Sequence, residues 1–177
     1  MPAPLHANTL ARREVVQTLY LCELTGSSIS ELAHGGTDGG LFVVPECPEG
    51  VSENDLVGSE LAPYAVELLD GIVGRLGVID GWIAEVAVNW SIERMPIVDR
   101  NIIRLAAFEI AYCDDVPTSV AIDEAVELAK VFGTDESPKF VNGVLGRIAT
   151  VVAGDAEGGE EDEREQGELR RAAREAR

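Results

Sequence analysis

Three consecutive amphipathic segments between Asp99 and Ala149 constrain the fold more tightly than anything else in the chain. In the first, Ile102, Ile103, Ala106, Ala107 and Ile110 recur at i, i+1, i+4, i+5 and i+8, a broad apolar stripe that a helix must bury against neighbours. Arg100 and Arg104 flank it. Asp114-Asp115-Val116-Pro117 then breaks the pattern, because proline disfavours helix at the residue before it; the paired aspartates read as a solvated turn. The second segment carries its stripe on Ile122, Ala125, Val126 and Ala129, with Lys130 suited to the negative end of the helix and Gly133 expected as a left-handed stop. The third opens on Ser137-Pro138, a capping hydroxyl followed by the residue whose missing N–H costs nothing at a helix start, and Phe140, Val141, Val144, Leu145 and Ile148 form its apolar face.

Upstream, a helix is expected from about Asn8 to Leu24, with Val16, Leu19 and Tyr20 at i, i+3 and i+4. Residues 26–58 hold seven glycines and two prolines, too many breakers for a continuous helix. A short helix over Ser28–Ala33 fits there, and 27–57 otherwise reads as an inserted loop whose apolar patch is Leu41-Phe42-Val43-Val44. From Leu61 to Leu76 the positions 61, 64, 65, 68, 69, 72, 73 and 76 follow the helical template, with Gly77 expected to end or bend the helix, and Ile83, Val86, Ala87 and Trp90 then share one face of another. The pattern implies an all-α fold without a sheet: residues 1–153 as one domain, its helices in two packed groups of roughly 8–76 and 78–152. Residues 154–177, Glu- and Gly-rich and then Arg- and Ala-rich, read as a disordered acidic tail.

Composition narrows the function. With 46% hydrophobic residues in 177, the chain can bury a domain-sized core. No apolar run approaches the ~20 residues of a membrane span, and the N-terminus lacks the pattern of a secretory signal. Cys22, Cys47 and Cys113 include no C-x-x-C pair, so neither a zinc site nor a disulfide framework is expected, and a reducing cytoplasm fits. No phosphate loop, nucleophile elbow or metal cluster is present, and the two histidines, His6 and His34, fall in segments expected to be mobile. The expectation is a binding module with no cofactor, no metal and no catalytic residues. Its formal charge of −18 is the complication: the residues after Ala153 account for only −4, leaving −14 on the rest. Nucleic-acid affinity comes largely from Lys and Arg against phosphates. Any RNA binding must therefore use a small basic patch or lean on a basic partner, for which an acidic surface is a good docking face.

The residues of the three segments carry a resemblance. Asp99-Arg100-x-x-Ile103-Arg104-x-Ala106-x-x-Glu109, Ala121 through Lys130 (AIDEAVELAK), and Lys139-Phe140-Val141-Asn142-Gly143-Val144-Leu145 closely resemble the C-terminal half of the bacterial antitermination factor NusB family, and Ala11-Arg12-Arg13-Glu14-x-x-Gln17-x-Leu19-Tyr20 resembles that family's first helix. Together the matches cover about half the chain. The resemblance implies a compact bundle of about seven helices that binds boxA RNA of rRNA operons jointly with the ribosomal protein NusE, within a transcription elongation complex that includes other Nus factors. Two alternatives stay open: a NusB-like interaction scaffold with little RNA binding of its own, and a regulatory relative of the helical domain of rRNA cytosine methyltransferases, whose methyl-donor domain this chain is too short to include. Monomer and homodimer are both compatible with the sequence.

Residue by residue, the resemblance implies RNA contacts for Arg12, Arg13, Glu136, Lys139 and Phe140, and a partner face of Tyr20, Glu93 and Asp99. Each has a structural alternative. Arg12 and Arg13 are otherwise solvated charges; Glu136 and Asp99 otherwise serve helix starts; Phe140 is otherwise core, although an aromatic at a helix start also reaches the surface to stack on an unpaired base. Asn142-Gly143 reads as close helix packing, and Asp123 stands where the family usually has asparagine. Tyr20, Glu93 and Asp99 are expected to converge on one exposed face.

Overall fold

The protein is described by a computed structural model over residues 7–34, 61–88 and 90–155, which contain helices and no strand. In chain order these are α1 (Ala7–Thr25), α2 (Ile29–His34), α3 (Pro63–Val73), α4 (Leu76–Val86), a 3-10 turn (Ile92–Arg94), α5 (Ile97–Tyr112), α6 (Thr118–Phe132) and α7 (residues 137–155). The expected all-α architecture is therefore the observed one. Part of the anticipated 27–57 insertion is helical, since α2 lies within it; its remainder, with Leu41-Phe42-Val43-Val44 and Cys47, lies outside the described residues. Of the expected disordered tail 154–177, Gly154 and Asp155 instead end α7, where Asp155 accepts from the Trp82 indole N–H (3.2 Å), and residues from 156 lie outside the described residues.

Local chemistry accounts for the helix ends. Gly26 adopts φ 74 and donates its N–H to the Cys22 carbonyl, the left-handed closure that glycine makes without steric cost. Two residues on, Ser28 and Glu31 cap α2 reciprocally: the Glu31 N–H donates to Ser28 Oγ (3.0 Å) and the Ser28 N–H to Glu31 Oε2 (3.2 Å). Pro63 opens α3 where its missing N–H is free of cost. The break after α3 falls at Gly74-Arg75 rather than at Gly77, which sits in the first turn of α4; the Gly74 and Arg75 N–H groups fold back onto the carbonyls of Asp70 and Ile72 and close the helix there. Trp90 accordingly lies beyond α4. Gly133 is not left-handed either, with φ −95: a Cβ there would collide with Ser137, so the glycine permits a close approach. Ser137 Oγ accepts the Thr134 N–H (2.9 Å) and tightens the α6–α7 turn, while the Glu136 carbonyl takes the first bond of α7.

At the centre is α5. Nine of its residues are buried, around its whole circumference, because α1, α3, α4 and α6 all pack on it. On α3, Gly71 lies where a methyl would run into the Phe108 ring, and on α6 the small residues Ala121, Ala125 and Ala129 are buried. Val141, Val144, Leu145 and Ile148 of α7 complete a single core cluster that joins both expected helical groups.

Two ion networks fix the bundle. Arg12 of α1 is buried, only 4% exposed, and holds the equally buried Glu109 of α5 through Nε (2.9 and 3.1 Å) and Nη2 (2.8 Å). Tyr64 of α3 donates to the same carboxylate (3.0 Å), and Glu124 of α6 lies 3.6 Å from Arg12 Nη1, so four helices meet at one charge pair. Burial and the Glu109 carboxylate push the Tyr64 phenol well above its ordinary range, which keeps it a donor. In the second network Arg104 grips Asp80 of α4 with two 2.8 Å bonds and Glu23 of α1 with one of 2.7 Å, and Arg100 joins Glu23 to the Ile92 carbonyl. Burial opposes ionisation of Glu23, but the two arginines outweigh it and lower its pKa.

Removing one partner of a buried pair leaves the other uncompensated. Arg12→Ala should therefore lose about 3–5 kcal/mol in denaturant unfolding, whereas Arg12→Met combined with Glu109→Leu should recover most of the loss. Gly71→Ala should cost about 1–3 kcal/mol through overpacking against Phe108; thermal unfolding at unchanged midpoint would contradict the close α3–α5 approach.

Candidate nucleic-acid interface

Beyond the turn that follows α4, the chain passes over the start of α5 and meets the first turns of α7, leaving an open groove of about 490 Å³. Trp90, Asp99, Glu136, Lys139, Phe140 and Arg147 line it. Phe140 is half-buried: one side rests on the core cluster and the other lies beside Trp90, with ring centroids 6.1 Å apart and planes tilted by 48°. Both readings of Phe140 from the sequence thus describe part of its position. Trp90 is half exposed, an unusual state for so large an apolar ring. Lys139 and Glu136 are exposed on the rim, and Arg147 is fastened to the Val86 carbonyl (3.1 Å) at the end of α4. Gly143 also lines the groove with open space around its Cα, so Asn142-Gly143 does not mark close helix packing; it leaves the wall of α7 flat and uncovered.

The first-helix arginines lie elsewhere. Arg12 borders a separate cleft of about 460 Å³ between the starts of α1 and α6, and neither it nor Arg13 lines the aromatic groove. The expectation of Arg12 as a surface contact is corrected by its burial: its guanidinium is engaged with Glu109 in the core. Arg13, one position around the helix, is half-buried with an Nε that has no protein partner. Glu136, Lys139 and Phe140 are brought together as expected; Arg12 and Arg13 do not join them.

The anticipated partner face is divided as well. Tyr20 and Leu24 are exposed one turn apart on α1, and Glu23 beside them reaches the Ile92–Arg94 turn through Arg100, which brings the exposed Glu93 into the same region. Asp99 is not part of it. Although adjacent to Arg100 in sequence, it is 4% exposed and lines the aromatic groove. Its Oδ1 has no hydrogen-bond partner. Burial raises its pKa, and the Ser137 hydroxyl offsets this only in part. Trp90, Arg147 and Leu24 are not among the residues expected at these surfaces; Trp90 falls in register with Ile83, Val86 and Ala87 in the sequence, and only the end of α4 at Val86 shows that it leaves the helix.

Among the described residues, no group of three His, Cys, Asp or Glu residues is placed to hold a metal, and no helix is long and apolar enough to cross a membrane. Burial pushes the Cys113 thiol up to about 11 and raises that of Cys22, so both remain protonated near neutrality.

A raised carboxyl pKa means that the folded protein holds a proton which the unfolded chain has released. Stability contributed by Asp99 is therefore greatest below the ordinary value of 3.8 and falls as pH rises through the higher folded pKa. Asp99→Asn should be more stable than the unaltered protein at neutral pH, by about 1 kcal/mol, and the two should converge as the pH approaches that ordinary value. Urea unfolding across this range checks it; a destabilised Asp99→Asn at neutral pH would mean that the bonds to the carboxylate outweigh the cost of its burial.

Comparison with known proteins places the chain in a family. The profile of the NusB family matches residues 9–150. The chain is 48% identical over 97 residues to the transcription antitermination protein NusB of Streptomyces coelicolor, which covers 55% of this chain and 68% of that protein. Among solved structures, T. maritima NusB is similar with a TM-score of 0.63 at 31% identity, over 85% of this chain and 93% of that one. A chain from the crystal structure of antitermination factors NusB and NusE in complex with dsRNA is similar with a TM-score of 0.62 at 27% identity, over 81% of this chain and 96% of that one. With a family match running from the first turn of α1 into α7, over the same all-helical fold as these structures, the chain belongs to the NusB family.

Proposed function

We propose that this protein is a transcription antitermination factor that binds boxA RNA of rRNA operons together with the ribosomal protein NusE, acting in the cytoplasm as a binding module rather than an enzyme. The observation that carries the reading is the aromatic groove at the start of α7. Two large rings, Trp90 and Phe140, stand beside two cations, Lys139 and Arg147, which is the combination that binds unpaired bases by stacking and their phosphates by charge. The relatives' names point the same way: they are transcription antitermination proteins, and one similar structure is of NusB and NusE with dsRNA.

In this reading Phe140, Lys139, Glu136 and Arg13 contact RNA, with Arg147 added. Arg12 acts indirectly, by holding α1 in place. Tyr20, Leu24 and Glu93 face the basic partner, where an exposed aromatic and aliphatic pair supplies the anchor and the acidic residues supply steering. The burial of Arg12 also favours a second reading, a scaffold with little RNA affinity of its own, because it removes one of few cations from a chain of net charge −18.

Titration of boxA RNA with and without NusE separates the two. If Arg13, Lys139 and Arg147 supply about two to three phosphate contacts, the log–log salt slope of the isolated protein should be about −1.4 to −2.1, at roughly −0.7 per contact for single strands. Phe140→Ala should weaken binding by about tenfold, the lower part of the range for one stacked base. No measurable RNA binding beside intact NusE binding would favour the scaffold. On the partner side, Tyr20→Asp should speed dissociation of NusE, and Glu93→Lys should slow association and reduce its salt dependence; unchanged kinetics in both variants would place the partner face elsewhere.

A further inference from the structure

A second aromatic surface lies where α3 turns into α4 and where α5 and α7 end, away from the groove and from both ion networks. Arg75, in the α3–α4 turn, is exposed and lays its guanidinium 4.3 Å from the centroid of the Tyr112 ring and 5.9 Å from that of Phe108. Tyr112, at the end of α5, is 40% exposed and stacks on Trp82 of α4 with ring centroids 6.1 Å apart; Val78, one turn before Trp82 on α4, is exposed as well. A guanidinium stacked on an aromatic face keeps its N–H edge free for a carboxylate. Among the described residues none takes it up: Arg75 belongs to none of the ion pairs, although Asp114 and Asp115 follow closely on Tyr112.

The end of α7 is fastened to this surface. The Trp82 indole N–H donates to Asp155 (3.2 Å), so the chain that continues from Asp155 sets out beside the stacked rings. It continues as Ala156-Glu157-Gly158-Gly159-Glu160-Glu161-Asp162-Glu163, small residues followed by a run of carboxylates. We propose that the surface of Arg75, Tyr112, Trp82 and Val78 is the docking site of this acidic segment, 157–163, which crosses the rings from Asp155 and pairs with the Arg75 guanidinium. The length suffices: residues 160–163 can lie up to about 17–27 Å from the anchor. A single exposed ion pair is weak, but a tether this short holds the acids at an effective concentration on the order of millimolar, and successive carboxylates offer the same partner to one cation. Docking covers an exposed aromatic face and neutralises an unpaired arginine. It also keeps the acidic run at the opposite end of α7 from Lys139 and Phe140, about 24 Å along the helix. The docking does not rest on the RNA-binding reading.

Carbodiimide coupling, which joins a carboxylate only to an amine in contact with it, tests the docking on the full chain. Arg75→Lys keeps the charge and introduces an amine at an exposed position. Mass spectrometry should then map a new intramolecular link from position 75 to a carboxylate within 157–163, beside the link of Lys130 to Glu127, whose 2.6 Å contact is the internal control for an intact α6. A link from position 75 to Asp114 or Asp115 instead, or the control link alone, would overturn the inference. So would covalent dimers joined through position 75, because the occupant would then be a second copy. A second measurement leaves Arg75 in place. In Trp90→Phe, which makes Trp82 the sole tryptophan, replacing Glu160, Glu161, Asp162 and Glu163 by their amides should raise acrylamide quenching of Trp82 by about twofold, Arg75→Gln should raise it equally, and the combination should add little to either. Quenching unchanged by both alterations, or additive effects of the two, would contradict a shared contact.

Discussion

The pairing of Arg12 with Glu109 is the contact on which the arrangement of the remaining helices depends. It places a charge from the second turn of α1 against one near the end of α5, in surroundings with almost no access to water, and recruits Tyr64 and Glu124 to complete the site. Such a pair adds little net stability compared with apolar residues of similar volume, because desolvation offsets most of the attraction. What it supplies is geometry. A guanidinium bonded through two nitrogens to one carboxylate fixes rotation and translation of α1 along α5 in a way that Ala11, Val15 and Leu19, packed as smooth apolar surface, do not.

With α1 fixed, the two surfaces of interest follow from helix periodicity. Glu23, on the same rod as Arg12, is carried to Arg100 and Arg104, and Tyr20 and Leu24 are turned outward beside the 3-10 turn that holds Glu93. At the other face, the close α6–α7 turn made possible by Gly133 and Ser137 swings Phe140 across to Trp90 and opens the groove over Asp99. The same buried helix, α5, thus supports both surfaces through neighbouring residues: Arg100 points to the partner side and Asp99 to the groove.

Much of this was legible in the sequence, for identifiable reasons. The stripes of α5, α6 and α7 were readable because burial on a helix is periodic, and Glu136, Lys139 and Phe140 were found together because they occupy consecutive turns of one helix start. The errors came where a residue's environment is set by a distant partner. Arg12 is followed by Arg13 and looks like half of a basic surface pair, but its partner is 97 residues away. Asp99 looks like a helix-start charge, and its sequence neighbour Arg100 bonds Glu23 and the Ile92 carbonyl; a one-residue helical step of 100° is enough to put the two side chains in different surroundings. The break at Gly74-Arg75 was displaced to Gly77 because both glycines suit a bend and only packing distinguishes them.

RNA binding at the aromatic groove between Trp90 and the start of α7, with Arg12 paired inside the protein rather than presented to phosphates, is the proposal on which the function rests. Photochemical cross-linking of boxA RNA to the full chain in the presence of NusE, with the linked peptides mapped by mass spectrometry, tests it most directly. The account predicts cross-links to Trp90 and Phe140 and none to Arg12. Cross-links concentrated on residues 8–16 of α1, with Trp90 and Phe140 unmodified, would contradict it.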